Sequence, residues 1–507
     1  MFKGQPKGLL AAALANMGER FGFYVMMAIL ALFIQAKFGL TGKNTGYIYG
    51  TFYAAIYLLA LVGGLIADKT RNYKGTILIG LITMAVGYFL LAIPTPSSTT
   101  NLILACGALF VIAFGNGLFK GNLQALVGQM YDNEKYSKMR DSGFSIFYMF
   151  INVGAIFAPF AAIGVRNWWL GNNGFQYNAD LPALCHSFNN GTITTEATES
   201  LQVLANQVSG KEVTDLSVFV GEYLNVFSTG FHYAFATAIF AMAISITIFL
   251  LNKKYFPDPK AKGAAASSTD IQMDVKEVKQ RLYALFAVFA IVIFFWFSFH
   301  QNGLTLTFFA RDYTDLSNVK INLGFVTIQG AELFQSINPF FVVFLTPIIL
   351  ALFGWLRAKG IEPSTPKKIA IGMFIAALGF VVMALGSTGV PMFSEINPAE
   401  GGTPLDQAAK VTPFLLIGTY FILTVAELFI SPLGLSFVSK VAPPQYQGVM
   451  QGGWLGATAL GNQLLFIGAI FYESIPIWAT WSIFVVACII SMFTMIFMLS
   501  WLERVAK

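Results

Sequence analysis

Twelve uninterrupted apolar runs dominate this chain, and each is long enough to cross a bilayer. They lie at about 8–36, 46–67, 75–95, 101–130, 142–165, 229–252, 281–308, 323–353, 368–388, 412–438, 448–472 and 477–501. A helical span needs about 20 apolar residues, and in lipid every backbone N–H and C=O must be satisfied within the structure itself. Continuous runs therefore predict an all-α membrane protein, because a barrel would show short alternating segments instead. Of 507 residues, 56% are hydrophobic, 15% aromatic and only 11% charged. A soluble domain carries roughly 25% charge, so a set of water-soluble domains is excluded.

The formal charge of +6 does not point to nucleic acid, because the basic residues are scattered through loops rather than gathered in one patch. Their distribution reports topology. With the N-terminus inside, 22 Lys/Arg fall in inner loops and 7 in outer ones, with Arg20 and Lys120 inside the membrane. The positive-inside rule then predicts a multi-pass protein of the cytoplasmic (inner) membrane with both termini cytoplasmic. Lys3 and Lys7 precede an apolar run without a small-residue cleavage site, so that run is read as the first span. Cys106, Cys185 and Cys488 lie far apart and offer neither a disulfide framework nor a metal-binding pair.

Six spans precede residue 253 and six follow residue 280. The reading is an N-terminal six-helix bundle (1–252), a cytoplasmic linker (253–280) and a C-terminal six-helix bundle (281–507). Pro257, Pro259, Gly263 and an Ala/Ser run give the linker its composition, and Thr269–Gln272 has the form of a capping box. Residues 166–228 form an extracytoplasmic insertion, with a weakly helical stretch near Glu199–Val208. A loop merely ordered against the outer face is its simplest reading.

Ionisable groups inside a membrane are costly, so each needs a partner or a task. Glu19, Arg20, Lys120, His300, Glu332 and Glu427 all fall within predicted spans. A pairing of Glu19 with Arg20 or Lys120 accounts for some, but a water-filled central cavity accounts best for the set. Around these residues lie Asn16–Tyr24 (NMGERFGFY), Gly63–Asp68 (GGLIAD), Gly115–Asn122 (GNGLFKGN), Phe147–Gly154 (FYMFINVG), Gln335–Pro339 (QSINP) and Glu427–Leu435 (ELFISPLGL), followed by Trp454 and Gly461–Asn462. Taken in order over residues 11 to about 470, these resemble the signatures of the proton-dependent oligopeptide transporter family of the major facilitator superfamily.

The resemblance implies a major facilitator fold, twelve helices in two bundles rocking about a midplane site. It implies import of di- and tripeptides with protons, no cofactor beyond the coupling proton, and a monomer. A short peptide is a zwitterion, and charge-assisted hydrogen bonds are the strong ones. Lys120 and Arg20 are thus expected to attract its carboxylate and Glu427 its ammonium, the roles the resemblance assigns them. Asn152, Gln301 and Asn338 are expected to bond the peptide amide, and Tyr24, Tyr57, Trp296 and Trp454 to wall side-chain pockets. Helix packing is the alternative for any one of these aromatics. Ser431 is expected near Glu427, with a backbone hydrogen bond as its alternative. Gly63, Gly64, Asp68 and Arg71 read as a conformational latch, in which Asp68 and Arg71 pair at a helix end. Pro339, Pro347 and Pro432 with Gly434 are candidate bends.

Three residues depart from the family pattern. Asn16 stands where the first Glu is usual, His300 where span seven usually has an acid, and Met27 where an Arg is frequent. The expected proton carriers are accordingly Glu19, with Arg20 and Lys120 beside it, His300 exchanging protons with the outer vestibule, and Glu332 as a relocated acid. A neutral, hydrogen-bonded His300 and a mouth-facing Glu332 are the alternatives. Two other functions stay open: a carrier of another small solute, or a peptide facilitator uncoupled from protons. The chain lacks GxxxxGK(S/T), HExxH and GxSxG, so an ATPase or hydrolase is not expected.

Overall fold

The structure is a computed structural model that describes residues 4–131, 133–136, 140–257, 274–443 and 446–505. Among these, twelve helical segments are long and apolar enough to cross a membrane. The first half comprises α1 (Lys7–Phe38), α2 (Gly42–Thr70), α3 (Tyr73–Ala92), α4 (Thr99–Gln129), α5 (Arg140–Asn172), α6 (Leu181–Asn190), α7 (Thr195–Ser209) and α8 (Leu216–Asn252). The second comprises α9 (Val275–Phe299), α10 (Thr305–Asp312), the hairpin β1 (Lys320–Asn322) and β2 (Thr327–Gln329), and α11 (Ile337–Ala358). There follow α12 (Thr365–Gly386), α13 (Phe393–Ile396), α14 (Pro413–Val441), α15 (Gln447–Gln463), α16 (Leu465–Ser474), α17 (Ile477–Phe497) and α18 (Leu499–Val505). The architecture is the major facilitator fold, with α6 and α7 forming the insertion between spans five and six.

Within the first bundle α1 packs on α5 and α8, and α4 on α2 and α3; within the second, α12 packs on α14 and α17. The bundles meet where α2 lies along α15 and α16, and where α5 lies against α11 and the hairpin. On the face that carries the insertion, the Glu473 carboxylate accepts from the backbone N–H groups of Gly42 (2.5 Å) and Lys43 (3.0 Å), the unpaired donors opening α2. Tyr47 stacks on Phe466 at 4.2 Å, and Arg311 donates to the Gln35 side chain. On the face that carries the termini, Arg357 and Lys368 grip Glu362 at 2.7 and 2.5 Å and hold its carboxyl down at about 2.

Two spans are broken rather than continuous. Span seven passes through a 3-10 turn at His300–Gly303 between α9 and α10, and span eleven breaks at Leu464. The break frees the Asn302 carbonyl, which accepts from Gln335 Nε2 (3.1 Å), Thr307 Oγ1 (3.1 Å) and the Tyr420 hydroxyl (3.0 Å). Irregular backbone at membrane depth persists only with such replacement partners.

The structure corrects three boundaries. The eighth run does not helix from residue 323: Asn322 Oδ1 accepts from Gly324 N–H (2.8 Å) and Gly324 takes φ +86°, turning the chain into the hairpin. Its transmembrane segment runs Ala331–Ala358, opening with a 3-10 turn at Ala331–Ser336. Span six starts early, at Leu216, where Asp215 Oδ1 caps Ser217 and Val218 N–H. The linker reading ends at residue 274 rather than 280, since α9 begins at Val275; residues 258–273, with the Thr269–Gln272 capping box, lie outside the described residues. The weak helix at Glu199–Val208 becomes α7.

The latch reading also changes. Asp68 accepts from the Tyr73 hydroxyl, while Arg71 caps α2 at φ +52°; among the described residues no ion pair joins the two. Gly63 instead brings α2 onto α4, where its carbonyl accepts from Asn122 Nδ2 (3.0 Å). A Cβ on Gly63 would lie 2.1 Å from the Gly117 carbonyl oxygen, whereas one on Gly64 would meet nothing within 4 Å. Overpacking against backbone cannot be relieved by a rotamer change and costs about 1–3 kcal/mol or more. Gly63→Ala is thus expected to lower the melting temperature of the purified protein, and Gly64→Ala to leave it nearly unchanged.

Candidate functional site

Glu19, Arg20, Lys120, His300 and Glu427 converge where the two bundles face each other. From the first bundle come Glu19, Arg20 and Tyr24 on α1, Tyr53 and Tyr57 on α2, Asn116 and Lys120 on α4, and Tyr148 and Asn152 on α5. From the second come Trp296 and His300, Asn338 on α11, Glu427 and Ser431 on α14, and Trp454 on α15. Glu427 lies within electrostatic reach of Tyr24, Tyr57 and Tyr148, so its carboxylate faces across the interface.

Arg20 binds Glu19 through two contacts of 2.5 Å, and Asn116 Nδ2 donates to the same carboxylate at 3.0 Å. Both members of the pair are buried, so the guanidinium charge is compensated on the spot. The pairing of Glu19 with Arg20 is therefore the one this structure shows, and Arg20 has no charge free for a second partner while it lasts. Lys120 is different. Its Nζ lies 4.8 Å from the Tyr57 ring centroid, and among the described residues no carboxylate pairs with it.

Glu427 forms the other pole. Its Oε2 accepts from Asn338 Nδ2 at 2.9 Å, and Asn338 also donates to Thr424 Oγ1 at 3.0 Å. Among the described residues no cation pairs with Glu427. Asn338 therefore positions the acid as well as lining the site. Ser431, one helical turn further along α14, is half-buried. Asn152 donates to the Tyr148 carbonyl at 3.1 Å. Trp454 is buried under α14 at Gly434, and Trp296 is buried with no hydrogen-bond partner for its indole N–H among the described residues.

Other expected site residues have different occupations. Gln301 is fully buried with its bonds used up: Nε2 donates to the Phe297 (3.2 Å) and Leu465 (3.3 Å) carbonyls, and Oε1 accepts from Thr305 (2.9 Å). It ties the broken turn of span seven to span eleven and has no donor left for a peptide. Gln301→Leu is expected to destabilise the fold, by about 1–3 kcal/mol for each group left unpaired, without changing which peptides compete for uptake. Glu332 is not a cavity acid either. It is buried beside Arg166 of α5 and paired with it across the bundle interface. His300 is buried, stacked on Trp296 at 4.8 Å and against Tyr53 at 4.7 Å, with Nδ1 bonded to Asn462 Oδ1. This enclosure corrects the expected exchange with the outer vestibule.

Tyr53, Asn116 and Tyr148 are the site residues that sequence reasoning passed over. Asn116 and Tyr148 lie inside the motifs GNGLFKGN and FYMFINVG, whereas no motif contains Tyr53. Tyr148 is 48% exposed although it neighbours Glu427 and Asn152, which marks open space in the middle of the protein.

Two facing bundles, with charges of opposite sign between them that no counter-charge among the described residues pairs, define a membrane carrier of the major facilitator class. The profile of the POT family matches residues 74–270 and 260–477. The chain belongs to that family. It is 28% identical over 488 residues to peptide transporter YePEPT of Yersinia enterocolitica, covering 91% of this chain and 87% of that protein. It is 27% identical over 462 residues to dipeptide and tripeptide permease B of Aliivibrio fischeri, covering 89% and 83%. Its fold matches the crystal structure of peptide transporter POT in complex with sulfate, at a TM-score of 0.71 and 21% identity, over 100% of this chain and 96% of that one. A POT family transporter in complex with 5-aminolevulinic acid aligns at a TM-score of 0.71 and 20% identity, over 100% and 98%.

Proposed function

We propose that this chain is a secondary transporter that imports di- and tripeptides with protons across the inner membrane, acting as a monomer with both termini cytoplasmic. One observation carries the reading: among the described residues, Lys120 on the first bundle and Glu427 on the second are both left without an ionic partner. Uncompensated charges at membrane depth are costly, and a zwitterion bound between them would supply both missing partners at once. A peptide that pairs with each bundle also favours the state in which both reach it, which is how a ligand shifts an alternating equilibrium. The names of the relatives support peptide as the substrate.

For the proton, Glu19 is the proposed carrier. Protonating its carboxyl would break the pair with Arg20 and free a cation one helical turn from Tyr24. His300, enclosed by Trp296, Tyr53 and Asn462, is proposed as a gate on that path rather than a contact with the vestibule. The test is peptide-driven acidification of liposomes that hold the purified protein and an indicator dye. Wild type is expected to acidify with dialanine, Glu19→Gln to lose the signal and His300→Gln to shift its pH dependence. Uptake of labelled dialanine without acidification, insensitive to protonophore, would make the protein an uncoupled facilitator.

A further inference from the structure

The insertion between spans five and six has no part in the reading above, yet it lies where the bundles meet. Its root belongs to the first bundle. Gln176 N–H donates to the Val208 carbonyl (2.8 Å), and Asn178 Oδ1 accepts from Asp180 and Leu181 N–H (2.9 and 3.1 Å). His186 bonds through Nε2 to the Ala36 carbonyl at 2.7 Å, and Tyr177 stacks on Phe227 at 6.0 Å.

Its reach is across to the second bundle. The Asp180 carboxylate accepts from Lys410 Nζ at 3.3 and 3.4 Å, and α6 packs on the 3-10 turn Pro398–Glu400. Lys410 is itself anchored: its Nζ also donates to the Arg311 carbonyl (3.4 Å), and the next residue, Val411, donates to Tyr313 O (2.7 Å) and accepts from Asp315 N (2.9 Å). Beneath this contact lies the second bridge, Arg166 to Glu332, with both side chains fully buried. The Tyr177 ring lies 4.3 Å over the Arg166 guanidinium and forms its roof. Asn167 adds bonds from α5 to the hairpin, donating to the Thr327 (2.9 Å) and Gln329 (3.0 Å) carbonyls. A cavity of about 190 Å³ remains under the insertion, lined by Gln35, His186, Arg311 and Glu473.

We infer that the insertion is a clasp that holds the outer face shut, working through the Asp180–Lys410 bridge and through Tyr177, which keeps water off the Arg166–Glu332 pair. Separating the bundles on that face must break the first bridge and unroof the second. A buried pair that water reaches becomes a screened one, so the two contacts open together. The clasp thereby sets how often the outer face opens to take up substrate. This rests on the alternating-access reading, but its first test reads the outer face directly whether or not peptide moves.

The experiment uses the full chain in liposomes, with Cys106, Cys185 and Cys488 replaced by alanine and spin labels on Lys43→Cys and Gln407→Cys, both exposed and on opposite bundles. Electron–electron distance measurements are expected to show a long-distance population that rises several-fold in D180N, K410Q and Y177A. The exchanged pair D180K/K410D is expected to return toward the parent. Distance distributions in all three single variants that match the parent would overturn the clasp and leave the insertion a passively ordered loop. In a second arm, bridging D180C/K410C with a cleavable bis-methanethiosulfonate, whose spacer replaces the length of the lysine side chain, is expected to stop labelled dialanine uptake until reductant is added. Uptake that proceeds equally in the bridged protein would also overturn it.

Discussion

Replacing Lys120 by glutamine is expected to weaken the apparent affinity for a dipeptide by about 10- to 150-fold. The side chain is the cation facing Tyr57, and among the described residues no carboxylate competes for it. Arg20 does not substitute for it, because Glu19 and Asn116 already hold that guanidinium and its counter-charge. A hydrogen bond to a charged group contributes about 1.5–3 kcal/mol, and each 1.4 kcal/mol is about tenfold in affinity. Lys120→Arg is expected to recover part of the loss, since it keeps the charge but offers a planar fork in place of a compact ammonium. The measurement is concentration-dependent uptake of labelled dialanine into liposomes. The loss should be confined to peptides with a free C-terminus: a C-amidated competitor should be equally weak against wild type and Lys120→Gln.

Glu427→Gln is expected to cost a similar factor, read from the opposite end of the peptide. Asn338 fixes the carboxylate at 2.9 Å and leaves its second oxygen for an ammonium. In wild type an N-acetylated dipeptide should compete far more weakly than the free one. In Glu427→Gln that difference should shrink to a few-fold. Substitutions that act on separate termini without shared partners should add, so the double variant should lose close to the sum of the two free energies. Non-additive losses would indicate that the poles act on each other rather than on the two ends of one ligand.

The spans were legible because the bilayer imposes one length and one polarity on every helix. Where that rule has an exception, the reading slipped. Phe325 and Val326 prolong the apolar run, so the hairpin at Lys320–Gln329 reads as helix until the turn at Asn322–Gly324 is given its weight. Within the site, sequence separated the rare charges from their background but not their partners. Glu19, Arg20, Lys120 and Glu427 stood out because charge in a span is expensive. Which of them are already compensated depends on contacts between helices, as with Asn116 and Glu19 at a separation of 97 residues.

Polar residues were harder still. Gln301 and Asn338 look alike as amides in apolar runs, yet one spends its donors on the Phe297 and Leu465 carbonyls and the other holds Glu427. Glu332 reads as a cavity acid because its partner, Arg166, lies 166 positions away in a segment that reads as loop. Tyr148 was hidden by abundance: with 15% aromatic residues, no single ring announces that it faces open space. The reach of Asp180 to Lys410 spans 230 positions, and no local pattern encodes it.

The most direct measurement is competition for labelled dialanine uptake by the same peptide carrying free or blocked ends, in liposomes holding only this protein. The account predicts that free dialanine competes strongly, that blocking one end weakens competition by at least tenfold, and that blocking both nearly abolishes it. Equal competition by the doubly blocked peptide would contradict a site built on two opposite, unpaired charges.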